Sequence, residues 1–197
     1  MKIYYDTEFI EDGVTVDLIS IGMVAEDGRE LYAVSADMPI HRISRHEWLM
    51  ANVVPHLPIK KEAPGCRCVA GIHLDRWNPD VRPHAQIARL VERFITATPE
   101  PELWAWYGAY DHVALCQLWG PMIALPEGVP MWTNDLKQEA MRLGNPAMPE
   151  QAEAEHNALA DARHSKVMAE FLADVAAQRT AALVRDAFDH WNEDSRG

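Results

Sequence analysis

Two acidic residues with one residue between them, Asp6 and Glu8, lie inside an apolar stretch that runs from residue 3 to residue 9. In an extended strand, residues i and i+2 leave the same face, so the two carboxylates project side by side. Like charges at that spacing either retain a proton or require a cation between them. Hard divalent ions such as Mg²⁺ and Mn²⁺ prefer carboxylate oxygen, which makes metal binding the natural resolution; a solvated edge strand carrying two acids is the plain alternative. A third acid, Asp111, follows the apolar run 103–107 at the entry to a helix. Sites gather at the carboxyl ends of strands in α/β sheets, although taken alone Asp111 reads as a helix N-cap. The fourth acid, Asp161, stands five residues after His156. Five helical steps turn about 500°, so these two share a site only if His156 lies in the loop before the helix. Asn157 would then be the N-cap, with Asp161 in the first turn. A histidine beside a metal centre suits general-base work; in isolation it reads as a surface residue.

The elements around these residues point to an α/β layer. Residues 3–9 are rich in β-branched and aromatic side chains and predict a strand closed by the turn Glu11-Asp12-Gly13. Residues 15–25 are apolar on both faces, with Val16 and Leu18 on one and Ile19, Ile21 and Met23 on the other. A central strand covered on both sides requires that pattern. After a second turn at Glu26-Asp27-Gly28, residues 30–35 complete an antiparallel meander. Pro55, Pro58, Pro64, Pro79 and Pro83 break residues 38–84 into short helices and loops. Ile87, Leu90, Val91, Phe94 and Ile95 make one face of a helix over 84–97. Residues 103–107 predict a buried strand, 110–118 a helix, 129–133 a last strand and 135–143 a helix, before a loop marked by Pro146 and Pro149. From residue 158 the spacing of Leu159, Val167, Phe171, Leu172 and Val175 predicts two C-terminal helices over about 158–192, with a break near Ala177. The expected architecture is a mixed five-stranded sheet, three meander strands plus two parallel ones, flanked by helices in one domain over 1–197.

Asp6 and Glu8, then Asp111, then His156 and Asp161, in that order on that element pattern, resemble the DEDDh 3′–5′ exonuclease family, which has a ribonuclease H-like fold. The histidine five residues before the last Asp matches one branch; the tyrosine branch carries Tyr four residues before, where this chain has Asn157. The stretches Asp6-Thr7-Glu8-Phe9-Ile10-Glu11-Asp12-Gly13, Asp17-Leu18-Ile19-Ser20-Ile21-Gly22 and Tyr110-Asp111-His112-Val113-Ala114-Leu115 are similar to the actinobacterial RNase AS group, exoribonucleases that favour adenylate-rich RNA. The resemblance implies two Mg²⁺ or Mn²⁺ ions, with Asp6 shared by both, Glu8 and Asp161 on the nucleophile side and Asp111 on the other. It implies that His156 takes a proton from the attacking water, and that nucleoside 5′-monophosphates leave singly from single-stranded RNA with a free 3′-hydroxyl. It further implies substrate contacts from Thr7, Phe9, Tyr110 and His156, with Phe9 against the terminal base, and a homodimer. DNA 3′ ends or short oligoribonucleotides are the alternative substrates. An inactive RNA-binding module is a second alternative, against which the full set of mutually repelling acids argues.

Composition sets the limits on partners. The 197 residues are 48% hydrophobic, enough for a packed core, and this excludes a disordered chain. Eighteen Lys and Arg against thirty Asp and Glu leave a net charge of −12. Such a chain does not coat nucleic acid non-specifically, so a polyanion must meet a basic patch or a bound cation. The candidate patch is Arg42, Arg45, Lys60, Lys61 and Arg67, set against only Glu47 and Glu62 in the same stretch. It is expected to border the RNA track, although a solvated helix face accounts for it almost as well. Single-stranded RNA is held largely by stacking. Trp104 and Trp106 are expected in the core, while Trp48 and Trp77 are the candidates for exposed work. Three cysteines exclude a disulfide framework, and Cys66-x-Cys68 near His73 lacks the second pair a zinc site would need. Acidic residues follow Met1 too soon for a signal peptide, and no run approaches the ~20 apolar residues of a membrane helix. A cytoplasmic protein is expected.

Overall fold

A computed structural model describes residues 1–60, 72–152 and 155–194. Lys61, Arg67, Cys66 and Cys68 lie outside the described residues. Strands β1 (Lys2–Glu11), β2 (Val16–Ala25) and β3 (Glu30–Ser35) form the expected meander. Helices α1 (Ile40–Ile43) and α2 (Glu47–Asn52) follow, then β4 (Val81–Arg82), α3 (His84–Thr96), β5 (Glu102–Ala105), α4 (Ala109–Cys116), β6 (Asn134–Asp135), α5 (Leu136–Arg142) and α6 (Ala158–Asp194). The sheet order is β4-β3-β2-β1-β5-β6, with β5 parallel to β1 and β6 parallel to β5. An antiparallel meander continued past its first strand by two parallel strands is the ribonuclease H-like arrangement expected from the sequence.

The described residues form six strands rather than five. The additional strand, β4, is two residues squeezed between Asn78-Pro79-Asp80 and Pro83 and held parallel to β3. The last strand also sits later than the expected 129–133. Pro130 has no N–H to give a ladder, so pairing waits until Asn134, while Val129 is buried against the core. The C-terminus is one 37-residue helix rather than two. No glycine or proline interrupts it, and the weakening apolar pattern after residue 177 marks where the helix leaves the core, exposing Leu183, Val184 and Phe188.

A register shift between Glu8 and Phe9 places the extra residue in β2, opposite the acidic end of β1. Side chains on either side of such a bulge change faces. Leu18 therefore joins Ile21 and Met23 under α3 and α4, instead of sharing a face with Val16 alone. On the opposite face Tyr4 packs with Leu136 and Ala140 of α5 and Met168, Ala169 and Leu172 of α6. A third cluster, including Ile19, Val34, Ile43 and Leu49, sits beneath α1 and α2. Trp104 and Trp106 are half-buried at the rim of the α5–α6 cluster, not enclosed in it as expected. None of the described helices is long and apolar enough to cross a membrane.

Candidate active site

The site forms where three elements meet at the carboxyl end of β1. Strand alternation sends Asp6 and Glu8 to the face covered by α6. The start of α6 can reach that face because Gly22, which pairs with Asp6, has no side chain. A Cβ on Gly22 would lie 2.2 Å from the Ala158 carbonyl oxygen and 2.4 Å from the Leu159 Cα. Asn157 caps the helix, its Oδ1 accepting from Ala160 N at 3.1 Å. Asp161 consequently stands in the first turn, as the sequence predicts. His156 precedes the helix with φ +65°. That left-handed turn folds its backbone N–H back onto Asp161 Oδ2 at 3.0 Å. One ligand atom each from Glu8, His156 and Asp161 lies within 4.8 Å of the others.

Asp111 reaches the same cleft from α4. It is not the N-cap: Gly108 is, and Asp111 lies buried in the first turn. The helix starts early because Tyr107, at φ +56°, turns the chain sharply off β5, with Ala109 N bonded to Tyr107 O at 2.8 Å. Thr7 donates twice to Asp111 Oδ1, from its backbone N at 2.9 Å and its hydroxyl at 2.6 Å. Both bonds go to the same oxygen, and Asp111 lines the cleft beside Asp6 and Glu8.

The electrostatics follow from four acids sharing one desolvated space. Burial, then Asp111, Glu8 and Asp161, push the Asp6 carboxyl far above the usual range. Burial and then Asp161 and Asp111 raise Glu8 to about 8. Burial lifts Asp111 to about 6 against the opposing hydrogen bonds from Thr7. Asp161 is also raised by burial, although Gln151 and the His156 backbone favour its charged form. Protonation is one escape from this crowding; a doubly charged cation is the other. Carboxylate oxygens and one imidazole are a donor set that Mg²⁺ and Mn²⁺ accept, so the residues present fit such ions.

Around the acids, Phe9 and the exposed Tyr110 stack with centroids 5.8 Å apart at 10°. Thr7, expected among the substrate contacts, is 4% exposed and spends both its donors on Asp111. Trp48 meets the His156 ring edge-on at 4.7 Å, and Gln151 donates to Asp161 Oδ1 at 2.6 Å. Sequence reasoning did not assign either contact, because a tertiary approach of this kind leaves no periodic signal. Trp77 is highly exposed and is not among the residues that line the cleft. Of the candidate RNA track, Arg42 is engaged by Asp12 at 3.0 Å and by Asp17, and Lys60 by Asp75 at 2.8 Å. Arg45 is exposed.

The class indicated by this architecture is that of nucleases, hydrolases built on a ribonuclease H-like sheet. Over 165 residues the chain is 48% identical to two Mycobacterium tuberculosis proteins, 3′-5′ exoribonuclease Rv2179c of strain H37Rv and 3′-5′ exoribonuclease MT2234.1 of strain CDC 1551. The match covers 83% of this chain and 88% of each relative. The chain belongs to the 3′–5′ exoribonuclease family. No family model matches it. Among solved structures, S. pombe Pop2p in its Mg²⁺ and Mn²⁺ bound form aligns over 84% of this chain and 80% of that chain, at 14% identity and a TM-score of 0.43. A structure of the yeast NOT1 MIF4G domain co-crystallized with CAF1 aligns over 83% of this chain and 76% of that one, at 12% identity and a TM-score of 0.40.

Proposed function

We propose that this chain, acting as one nuclease domain, removes nucleoside 5′-monophosphates one at a time from the free 3′-hydroxyl end of single-stranded RNA, fastest on adenylate-rich tracts, as in the RNase AS group. The observation that carries the reading is the convergence of Glu8, His156 and Asp161 beside Asp6 and Asp111, with every one of the four carboxyls raised above its ordinary pKa. Asp6, Glu8, Asp111 and Asp161 would hold a pair of Mg²⁺ or Mn²⁺ ions. Bound there, such ions would neutralise the phosphate, acidify the attacking water and stabilise the leaving oxygen. His156, steadied by the edge of Trp48, accepts the proton of that water as its oxygen bonds to phosphorus. The bond from phosphorus to the 3′ oxygen breaks, and this oxygen takes a proton from solvent. Thr7 holds Asp111 in its binding orientation, and the Phe9–Tyr110 stack offers a platform to the terminal base. An RNA substrate suits a cytoplasmic location, and the resemblance to the RNase AS group suggests a homodimer, which sedimentation would test.

Digestion of labelled poly(A), mixed-sequence RNA and single-stranded DNA, side by side with Mg²⁺ and with chelator, tests the reading. The expected result is stepwise shortening of RNA from the 3′ end, poly(A) fastest and DNA slowest, and no cleavage with chelator. Faster loss of DNA would overturn the substrate assignment. Unchanged nuclease activity in Asp6→Asn would remove these acids from the metal site.

A further inference from the structure

Two cavities open on Asp6, His156 and Asp161. The smaller, of about 260 Å³, also touches Phe9, Trp48 and Asp111. The larger, of about 470 Å³, lies behind the carboxylates, between α6, the segment after β5 and the loop joining α5 to α6. Its size falls within the roughly 300–1,000 Å³ of small-molecule sites. We propose that this second cavity is a nucleobase subsite for the nucleotide on the 5′ side of the scissile phosphate, an inference that rests on the nuclease reading above.

The lining residues are placed by regular structure. Tyr4 pairs with Trp104 across the parallel β1–β5 ladder, so two residues further on Trp106 comes alongside Asp6. His164, Ser165 and Met168 stand three, four and seven residues after Asp161, on the same stripe of α6. Met148 and Pro149 close the cavity from the loop. The indole, two thioethers and the proline ring supply flat or adaptable apolar walls, the surfaces that stack on the faces of a base. The polar groups are equally suggestive. Trp106 touches Tyr107 and Lys137 through its ring, yet its indole N–H has no hydrogen-bond partner among the described residues. The same holds for the His164 ring and for the Ser165 hydroxyl, on a residue only 3% exposed. Half-buried donors and acceptors without partners, set between apolar walls, match a ligand with apolar faces and a polar edge.

The nuclease reading decides which base enters. Both cavities border Asp6, His156 and Asp161, and Phe9 lines the one with Trp48. With Phe9 given to the terminal base, the cavity walled by Trp106 is left for the base across the scissile bond. Stacking there would add to whatever Arg45 supplies, because Arg42 and Lys60 of the candidate track are already engaged by acids of this chain.

The test measures kcat/KM on short oligoribonucleotides that are intact, abasic at the penultimate position or abasic at the terminal position. Wild type is expected to lose about 5- to 150-fold on the penultimate abasic substrate, the range that stacking of one base spans. Trp106→Ala is expected to lose a similar factor on intact RNA and to treat the intact and penultimate abasic substrates alike, while still penalising the terminal abasic one. Met148→Ala, on the loop, should shrink the penultimate penalty in the same sense and keeps the test open if Trp106→Ala fails to fold. A wild type indifferent to the penultimate base, or a penultimate penalty retained in full by both variants, overturns the subsite. Wild-type protein that leaves intact RNA uncut overturns the nuclease reading instead, a result distinct from either of these.

Discussion

Asp111 shows how two donors on a neighbouring strand set the state of a buried acid. Its carboxyl is lifted by desolvation and drawn back down by Thr7, and it settles at about 6 while Glu8, without such donors, reaches about 8. Thr7→Val keeps the shape and the backbone bond but removes the hydroxyl donor at 2.6 Å. Supporting bonds of this kind change metal affinity by roughly 10–100-fold. Half-maximal activity of Thr7→Val should therefore need that much more Mn²⁺, and an unshifted Mn²⁺ titration would show that Thr7 does not support a ligand. His156→Ala should lower turnover by about 10²–10⁴-fold while RNA binding changes far less; near-normal turnover would remove His156 from the chemistry. The five residues of this centre were legible because their type and spacing are constrained by carboxylate and imidazole chemistry. Trp48 and Gln151 were not legible as its supports, since what brings them to His156 and Asp161 is the packing of segments distant in sequence.

The geometry of the centre depends on how closely α6 lies on β2. Gly22 permits an approach that any Cβ would block, and the atoms in the way are backbone, which cannot rotate aside. Gly22→Ala should push the start of α6 off the sheet and carry Asp161 away from Asp6 and Glu8. Overpacking of this sort costs about 1–3 kcal/mol, which lowers Tm by about 2–12 °C for a chain of this size. A scanning calorimetry trace at the wild-type Tm, together with wild-type Mn²⁺ dependence, would contradict that account. The glycine stands in a strand sequence where its absence of a side chain gives no hint of what approaches it. The meander, the helix of residues 84–96 and the capped start of α6 could be read directly, because each has an apolar period or a cap of its own. The short parallel strands could not. β4 and β6 are two residues each, and what makes them strands is the edge of β3 or β5 they meet, not a pattern they carry.

At the scale of the molecule, a chain with a net charge of −12 has gathered four acids into one cleft, and that arrangement couples stability to pH. Glu8 and Asp111 have folded-state pKa values of about 8 and about 6, against ordinary values of 4.5 and 3.8, and Asp6 and Asp161 are raised as well. Between the ordinary and the raised values the folded state binds more protons than the unfolded one, so its stability falls as pH rises. Their contribution is fully present below about pH 4 and is lost through the neutral range, the reverse of the usual behaviour of paired carboxylates. Divalent ions held as proposed would bind the deprotonated acids, so they should oppose this loss, and increasingly so at higher pH. Without cations, Tm should decline between pH 5 and pH 8; millimolar Mn²⁺ should raise it little at pH 5 and clearly at pH 8. Asp6→Asn, with one acid removed from the centre, should flatten the cation-free decline and blunt the response to Mn²⁺. A cation-free Tm that rises from pH 5 to pH 8, or one that ignores Mn²⁺ at pH 8, would mean that these acids do not share a common field. An acidic molecule would then have no local reversal of sign with which to receive a phosphate.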